Sequence, residues 1–438
     1  MTPHEHGPQT VSTSPVGEQL DPLALVLDLV RSSGSLTRPE LGRRSGLGRT
    51  VVTQRVNQLL AAGLLDESGL APSTGGRAAR TLRFRPDAGH LLVARIGMYE
   101  VGAAISDLDG RLLVGKRSAV SSPADPEAVL NETGDLFDAL LAEHPRVSGS
   151  PTPVWGIGVG LPGAVDPLHG RTHAAAGLPH WDFYPVADVL AARYGVPVRV
   201  DNDVNLMALG ELRTGLGRGE HDLLHVEVGT SIAAGLVSGG RLHRGAQGAA
   251  GDIGHMPVIG IAPTAVCSCG GTGCLDTVAS GAALVRQATA AVEKGTSTHL
   301  TGRIRAAGSL TVADVVEAAR NGDSYATELL VLAGKLTGRA LAAVMAFYNP
   351  ALLLLGGPVA ADDDAPYLIG IREAIHQWAR PLALRDLRIE AASSGDQAGL
   401  QGAAFLLIDE LFSRDRLSDW ITSGSPVAAN SFVLQANY

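Results

Sequence analysis

Near its N-terminus the chain places apolar residues at helical spacing three times in succession. Asp21-Pro22 supplies a cap and a first-turn proline, and Leu23, Val26, Leu27 and Val30 fall on one face of a helix reaching about Arg31. Thr37, followed three residues later by Glu40, is a capping box that opens a second, short helix ending near Gly46. A third helix is predicted from about Arg49 to Ala62, with Gly63 as its stop. Its Val52, Val56 and Leu59 turn inward, which leaves Arg49, Thr50, Thr53, Gln54 and Asn57 facing out. The pattern then changes to two short strands, Leu64-Leu65-Asp66-Glu67 and Thr81-Leu-Arg-Phe-Arg85. They flank a tip that reads Gly75-Gly76-Arg77-Ala78-Ala79-Arg80.

Three helices followed by a two-stranded wing predict a winged helix-turn-helix over residues 21–86, with double-stranded DNA as its partner. Short hydrogen-bonding side chains and an arginine on an exposed helix face suit the major groove. A glycine-bearing tip lets Arg77 or Arg80 approach a minor groove. Helix triplets are common and arginine-rich loops usually face solvent, so the combination carries the reading.

Beyond residue 86 the pattern repeats itself. Leu91-Leu-Val-Ala-Arg-Ile-Gly97, continuing to Asp109-Gly110-Arg111-Leu112, matches Leu223-Leu-His-Val-Glu-Val-Gly229, continuing to Gly239-Gly240-Arg241-Leu242. Each copy reads as two strands, a glycine turn and a third strand, followed later by helices. A duplicated unit of this kind predicts two facing α/β lobes over residues 87–412. Residues 1–20, polar and Pro/Ser-rich, are expected to be a disordered N-terminal tail. Residues 413–438 are expected to be a C-terminal tail, loosely ordered from 423.

Charge separates the two parts. Residues 21–86 hold ten arginines against five acids, whereas the whole chain carries a formal net charge of −9. A basic module joined to an acidic body fits a DNA-binding domain fused to an effector domain, although charge alone is compatible with a solvated surface. No run of eighteen apolar residues occurs, and the first twenty residues lack an apolar signal core, so no membrane role and a cytoplasmic location are expected.

All three cysteines fall in Cys267-Ser-Cys269-Gly-Gly-Thr-Gly-Cys274, twelve positions after His255. Three thiolates and one imidazole complete a tetrahedral set for a structural zinc ion, and four protein ligands leave no open position for a catalytic water. The alternative is three buried free thiols.

Gly251-Asp-Ile-Gly-His255 with the cysteine loop and Asp276 resembles the signature of the ROK family of repressors, open reading frames and sugar kinases, and the resemblance runs from about residue 91 to 408. It implies an actin-like, sugar-kinase fold of two lobes, with nucleotide and sugar sharing the cleft between them. It also implies that Asn202 and Asp203 contact sugar hydroxyls, that Asp203 is the base in kinases, and that His255 touches both metal and sugar. A helix cap is the alternative role for Asn202. Asp252 and Asp276 stand where the family has glutamate, and the loop from Ala174 to Trp181 lacks the usual asparagine. Either the ligand differs or the pocket has lost it.

The phosphate loops depart further from the kinase pattern. Asp-x-Gly-Gly-Thr of a kinase is matched here by Arg95-Ile-Gly97-Met98-Tyr99, and Gly-Thr-Gly-x-Gly by Gly229-Thr230-Ser231-Ile232-Ala233. Arginine cannot accept from a magnesium-bound water, and side chains replace needed glycines. Gly356-Gly357 is retained but is compatible with plain strand packing. The resemblance therefore implies a non-enzymatic transcriptional regulator, usually a repressor, like those of the family that answer to xylose and N-acetylglucosamine. It would be controlled by a sugar or sugar derivative and assembled as a homodimer or homotetramer. A bifunctional sugar kinase is one alternative. A regulator with a protein or phosphorylated-metabolite input, held by Arg95, is the other.

Overall fold

The computed structural model describes residues 21–67, 69–70, 79–120, 125–144, 153–173, 179–258, 266–360 and 362–427. The expectations for residues 1–20, for Arg77, for 174–178 and for 428–438 lie outside these. The described chain divides into two compact units, one of residues 21–85 with Phe412–Gly424, the other chiefly of Pro86–Leu411.

In the first unit, α1 (Pro22–Ser33) starts where the Asp21 carboxylate accepts the Leu23 N–H at 2.9 Å, and it buries Leu23, Val26, Leu27 and Val30. Strand β1 (Leu36–Thr37) leads into α2 (Arg38–Ser45), where both halves of the Thr37/Glu40 capping box form and Gly46 closes the helix at φ 70°. Helix α3 (Arg49–Ala61) buries Val52, Val56 and Leu59. Strands β2 (Leu65–Asp66) and β3 (Thr81–Phe84) follow, and β3 lies between β1 and β2 in an antiparallel sheet. The wing thus has a third strand, β1, too short to show an alternation of its own.

The expected tail over residues 413–438 is corrected by a helix, Arg414–Trp420, that belongs to this same unit. Phe412, Leu417, Trp420 and Ile421 are buried. The Arg31 guanidinium lies 5.3 Å from the centre of the Phe84 ring and 4.9 Å from that of Phe412, a cation between two aromatic faces. Ser418 Oγ donates to Asp21 at 2.8 Å. These apolar residues need a surface that is distant in sequence, so no local period announces it.

The second unit holds the duplicated strands. In the first lobe β4 (His90–Ile96), β5 (Glu100–Ser106) and β6 (Leu112–Ala119) are antiparallel neighbours, and β7 (Val154–Leu161) pairs parallel with β4. A small hairpin of β8 (Ala164–Asp166) and β9 (Arg171–His173) precedes β10 (Val198–Asn202), which completes the order β10-β7-β4-β5-β6. In the second lobe β11 (Leu223–Val228), β12 (Ile232–Ser238), β13 (Arg241–His243), β14 (Leu352–Gly356) and β15 (Arg388–Ala391) take the order β13-β12-β11-β14-β15. Each sheet is therefore three antiparallel strands extended by two parallel ones, and the repeat seen in the sequence is a repeat of architecture.

Each lobe has its own apolar core, the first around Phe137, Ile157 and Trp181, the second around Leu330, Leu355 and Tyr367. Helix Asp203–Thr214 joins them. Its Ala208, Leu209 and Leu212 pack with Leu223, Val237, Leu352 and Leu354 of the second sheet. Helix Gly395–Leu411 runs against it so closely that a Cβ at Gly402 would stand 1.8 Å from the Leu206 carbonyl oxygen. Helix Ser324–Tyr348 is long and apolar enough to cross a bilayer. Its Leu329, Leu330, Leu341 and Met345 lie in the second core, which accounts for that apolarity.

Candidate functional site

On α3, Arg49, Thr50, Thr53, Gln54 and Asn57 are all exposed, while Val52, Val56 and Leu59 hold the helix from behind. Two of the five are already engaged. Thr53 Oγ1 donates to the Arg49 carbonyl at 2.8 Å, and Asn57 Oδ1 accepts from Arg38 at 3.2 Å. Arg38 also pairs with Glu67 at 3.0 Å, and the exposed Arg80 lies 4.0 Å from the same carboxylate. The base of the wing is thereby tied to the start of α2, and Arg80 keeps most of its side chain in solvent.

At the junction of the lobes, β10 runs directly into helix Asp203–Thr214. Asn202 is its cap: Oδ1 accepts the N–H groups of Val204 and Asn205, each at 3.0 Å, and Nδ2 donates to the Gly163 carbonyl at 2.9 Å. Asp203 is the first residue of the helix and is buried, which suits an anion at a helix N-terminus. Burial pushes its carboxyl up to about 6; the Arg95 guanidinium opposes that rise and Glu227 adds to it. Arg95 Nη2 lies 3.6 Å from Asp203 Oδ2. The phosphate-loop arginine and the sugar-side aspartate are thus one ion pair.

The second lobe supplies further groups that the sequence reading passed over. Glu227 and His225 share one face of β11, with His225 Nε2 3.5 Å from Glu227 Oε2. A Cβ at Gly356 would stand 2.1 Å from Glu227 Oε2, so the carboxylate packs directly over this glycine. In the first lobe the buried Asp201 accepts from Arg244 Nε at 2.6 Å and from Asn205 Nδ2 at 3.0 Å. An acid two residues before Asp203, paired with an arginine, would have been a fair signal.

Asp252, His255 and Asp276 form a second cluster, but the two acids play different parts. Asp252 is exposed, its Oδ1 3.8 Å from His255 Nε2. Asp276 spends Oδ1 on the Ile232 N–H at 2.7 Å, and burial raises its pKa. It braces the β11–β12 turn.

Beside them the side chains of His255, Cys267, Cys269 and Cys274 converge, with one ligand atom from each lying within 4.8 Å of the others. His255 Nδ1 is 3.3 Å from Cys267 Sγ, and Cys269 and Cys274 Sγ atoms are 3.7 Å apart. Tetrahedral zinc with Zn–S near about 2.3 Å needs sulfur separations of about 3.8 Å, so these residues fit the ion. The Gly271 N–H donates to Cys269 Sγ at 3.4 Å. Burial, then hydrogen bonding to the neighbouring thiols, pushes Cys274 up to about 12, opposite to a thiol poised as a nucleophile.

Comparison with known proteins follows this geometry. A xylose repressor of Caldicellulosiruptor bescii is 25% identical over 389 residues, covering 89% of this chain and 96% of its own. A glucokinase of Halalkalibacterium halodurans is 33% identical over 281 residues, 64% of this chain and 83% of its own. A crystal structure of a ROK family transcriptional regulator, homologous to the Escherichia coli Mlc protein, superposes with a TM-score of 0.73 at 25% identity, covering 92% of this chain and 98% of that one. The sequence pattern of the ROK family matches residues 92–410, and the chain belongs to that family.

Proposed function

We propose that the protein is a DNA-binding transcriptional regulator, acting as a repressor, whose ROK body senses a sugar or sugar derivative. The observation that carries this is the first unit: a complete helix triplet and sheet whose third helix presents Arg49, Thr50, Thr53, Gln54 and Asn57 to solvent. The xylose repressor match covers 89% of the chain, whereas the glucokinase match covers 64%. The reading helix takes the major groove, and Arg80 with Arg77 takes the phosphate backbone and minor groove. Two half-sites at fixed spacing call for a homodimer or homotetramer working in the cytoplasm.

In the body, Asn202, Asp203, Asp252, His255 and Asp276 surround the effector. Asp203 accepts from its hydroxyls and His255 turns Nε2 toward it. Zinc on His255, Cys267, Cys269 and Cys274 supplies a fixed positive centre that holds the loop and the imidazole. An effector that prefers one lobe arrangement shifts the population and with it operator affinity.

The glucokinase relative favours a second reading, a kinase with a DNA-binding appendage. Arg95 opposes it, because it stands where the kinase pattern has the acid of the magnesium shell. One experiment separates the two. DNA selected from a random pool by the full chain should bind with a steep salt dependence. Thr53→Ala or Gln54→Ala should relax base preference by about 1–3 kcal/mol at single positions, and Arg80→Ala should weaken all sequences alike. Absence of any selected sequence, together with sugar-dependent ATP consumption, would give the assignment to the kinase.

A further inference from the structure

Arg95 lies on β4 between two glycine positions of its neighbouring strands, Gly102 on β5 and Gly160 on β7. A third, Gly399 of helix Gly395–Leu411, lies where a Cβ would come within 2.9 Å of Arg95 Cδ. Any side chain at Gly399 would meet the arginine stem. From this floor the guanidinium reaches Asp203 at 3.6 Å. Glu227 faces the same carboxylate from the second lobe, with His225 behind it, and Asp201 next to Asp203 is matched by Arg244. Without Arg95, Asp203 and Glu227 would confront each other across the lobe junction with no cation between.

We propose that Arg95 is the positioning residue of the effector site: it holds Asp203 as an oriented, anionic hydrogen-bond acceptor. The inference uses the sensor reading only in taking Asp203 as the effector's acceptor. A carboxylate already matched by one guanidinium still accepts from neutral hydroxyls and has little to offer a second cation. A buried acid with a raised pKa supports the need for such a partner, since two neighbouring carboxyls in a dry site otherwise share a proton.

The test is thermal unfolding of the full chain between pH 5 and pH 8 for the wild type, Arg95→Met, Asp203→Asn, the double variant and Arg95→Lys. A carboxyl whose folded-state pKa lies above its unfolded value stabilises the fold at low pH and loses that contribution as pH rises through the folded pKa. Removing the cation raises Asp203 further, so Arg95→Met should lose on the order of 2 °C or more of Tm at pH 8 relative to pH 5, beyond the wild-type change. Asp203→Asn, uncharged throughout, should abolish that extra loss in the double variant, and Arg95→Lys should keep the wild-type profile. A loss that is equal at both pH values and persists in the double variant would overturn the proposal, leaving Arg95 as packing for Gly399. Neither DNA nor sugar enters the measurement. Its failure therefore leaves the regulator reading standing, and failure to bind any operator leaves this inference standing.

Discussion

The two lobes share a strand order, yet the turns at the matching ends of their first hairpins, each closed by its own backbone, are held from outside to different degrees. The turn between β4 and β5 is closed by its own backbone, Gly97 N–H to the Glu100 carbonyl at 2.8 Å, with Met98 packed on the first core and Tyr99 exposed. The turn between β11 and β12 closes likewise, Gly229 N–H to the Ser231 carbonyl at 3.0 Å, and is also held from outside. Asp276 takes the Ile232 N–H, and the helix Gly281–Glu293 donates its first two N–H groups to the Gly229 and Thr230 carbonyls at 2.9 and 3.2 Å. The cysteine loop ends two residues before Asp276. The β4–β5 turn carries Met98 and Tyr99 and takes one further bond, from the Val120 N–H to the Tyr99 carbonyl at 2.8 Å, while the β11–β12 turn is tied to a residue that follows the cysteine loop.

Metal removal gives the largest expected break in this comparison. Cys267→Ser or Cys274→Ser should lower zinc content measured by elemental analysis. It should also cost on the order of 4 kcal/mol or more, because the binding energy of a structural metal is also folding energy. Protein purified without chelator that holds no zinc would remove the brace from the argument.

Smaller changes sharpen the contrast. Gly281→Ala puts a Cβ 2.4 Å from the Gly229 carbonyl oxygen, so the helix and turn must separate, at a cost of about 1–3 kcal/mol in urea unfolding. Asp276→Ala leaves the Ile232 N–H without its acceptor and should cost a similar or smaller amount. At the far end of the scale, Tyr99→Ala in the first turn should stay within about 0.5 kcal/mol of the wild type, since the ring is 67% exposed. Equal losses from Tyr99→Ala and Asp276→Ala would show that the turns are held alike.

Much of the first unit was legible because its signals are local. Asp21, Thr37 with Glu40, and Gly46 mark helix ends by hydrogen bonds within a few residues, and the inward residues of α1 and α3 follow one period. The duplicated strands were legible for the same reason. The site was legible as a roster and not as a set of roles. Asn202 serves as the cap, and Asp276 turns to the backbone. Arg95 reads in sequence as a missing magnesium ligand, and only the fold shows it facing Asp203. Glu227 and His225 sit inside an apolar strand pattern, where alternation gives no sign that their face meets a carboxylate from the other lobe. Helix Arg414–Trp420 escaped for the simplest reason: Ser418 meets Asp21, and Phe412 just before the helix meets Arg31 and Phe84, all at the other end of the chain.

That last feature sets an order of events during synthesis. Chains fold from the N-terminus as they leave the ribosome. Here the core of the first unit is completed, over Arg31 and Phe84, only once Phe412, Leu417 and Trp420 have been made. The described strands and helices of the second unit all lie before residue 412 and are translated first, so a chain interrupted before that point lacks the closing piece of its first unit.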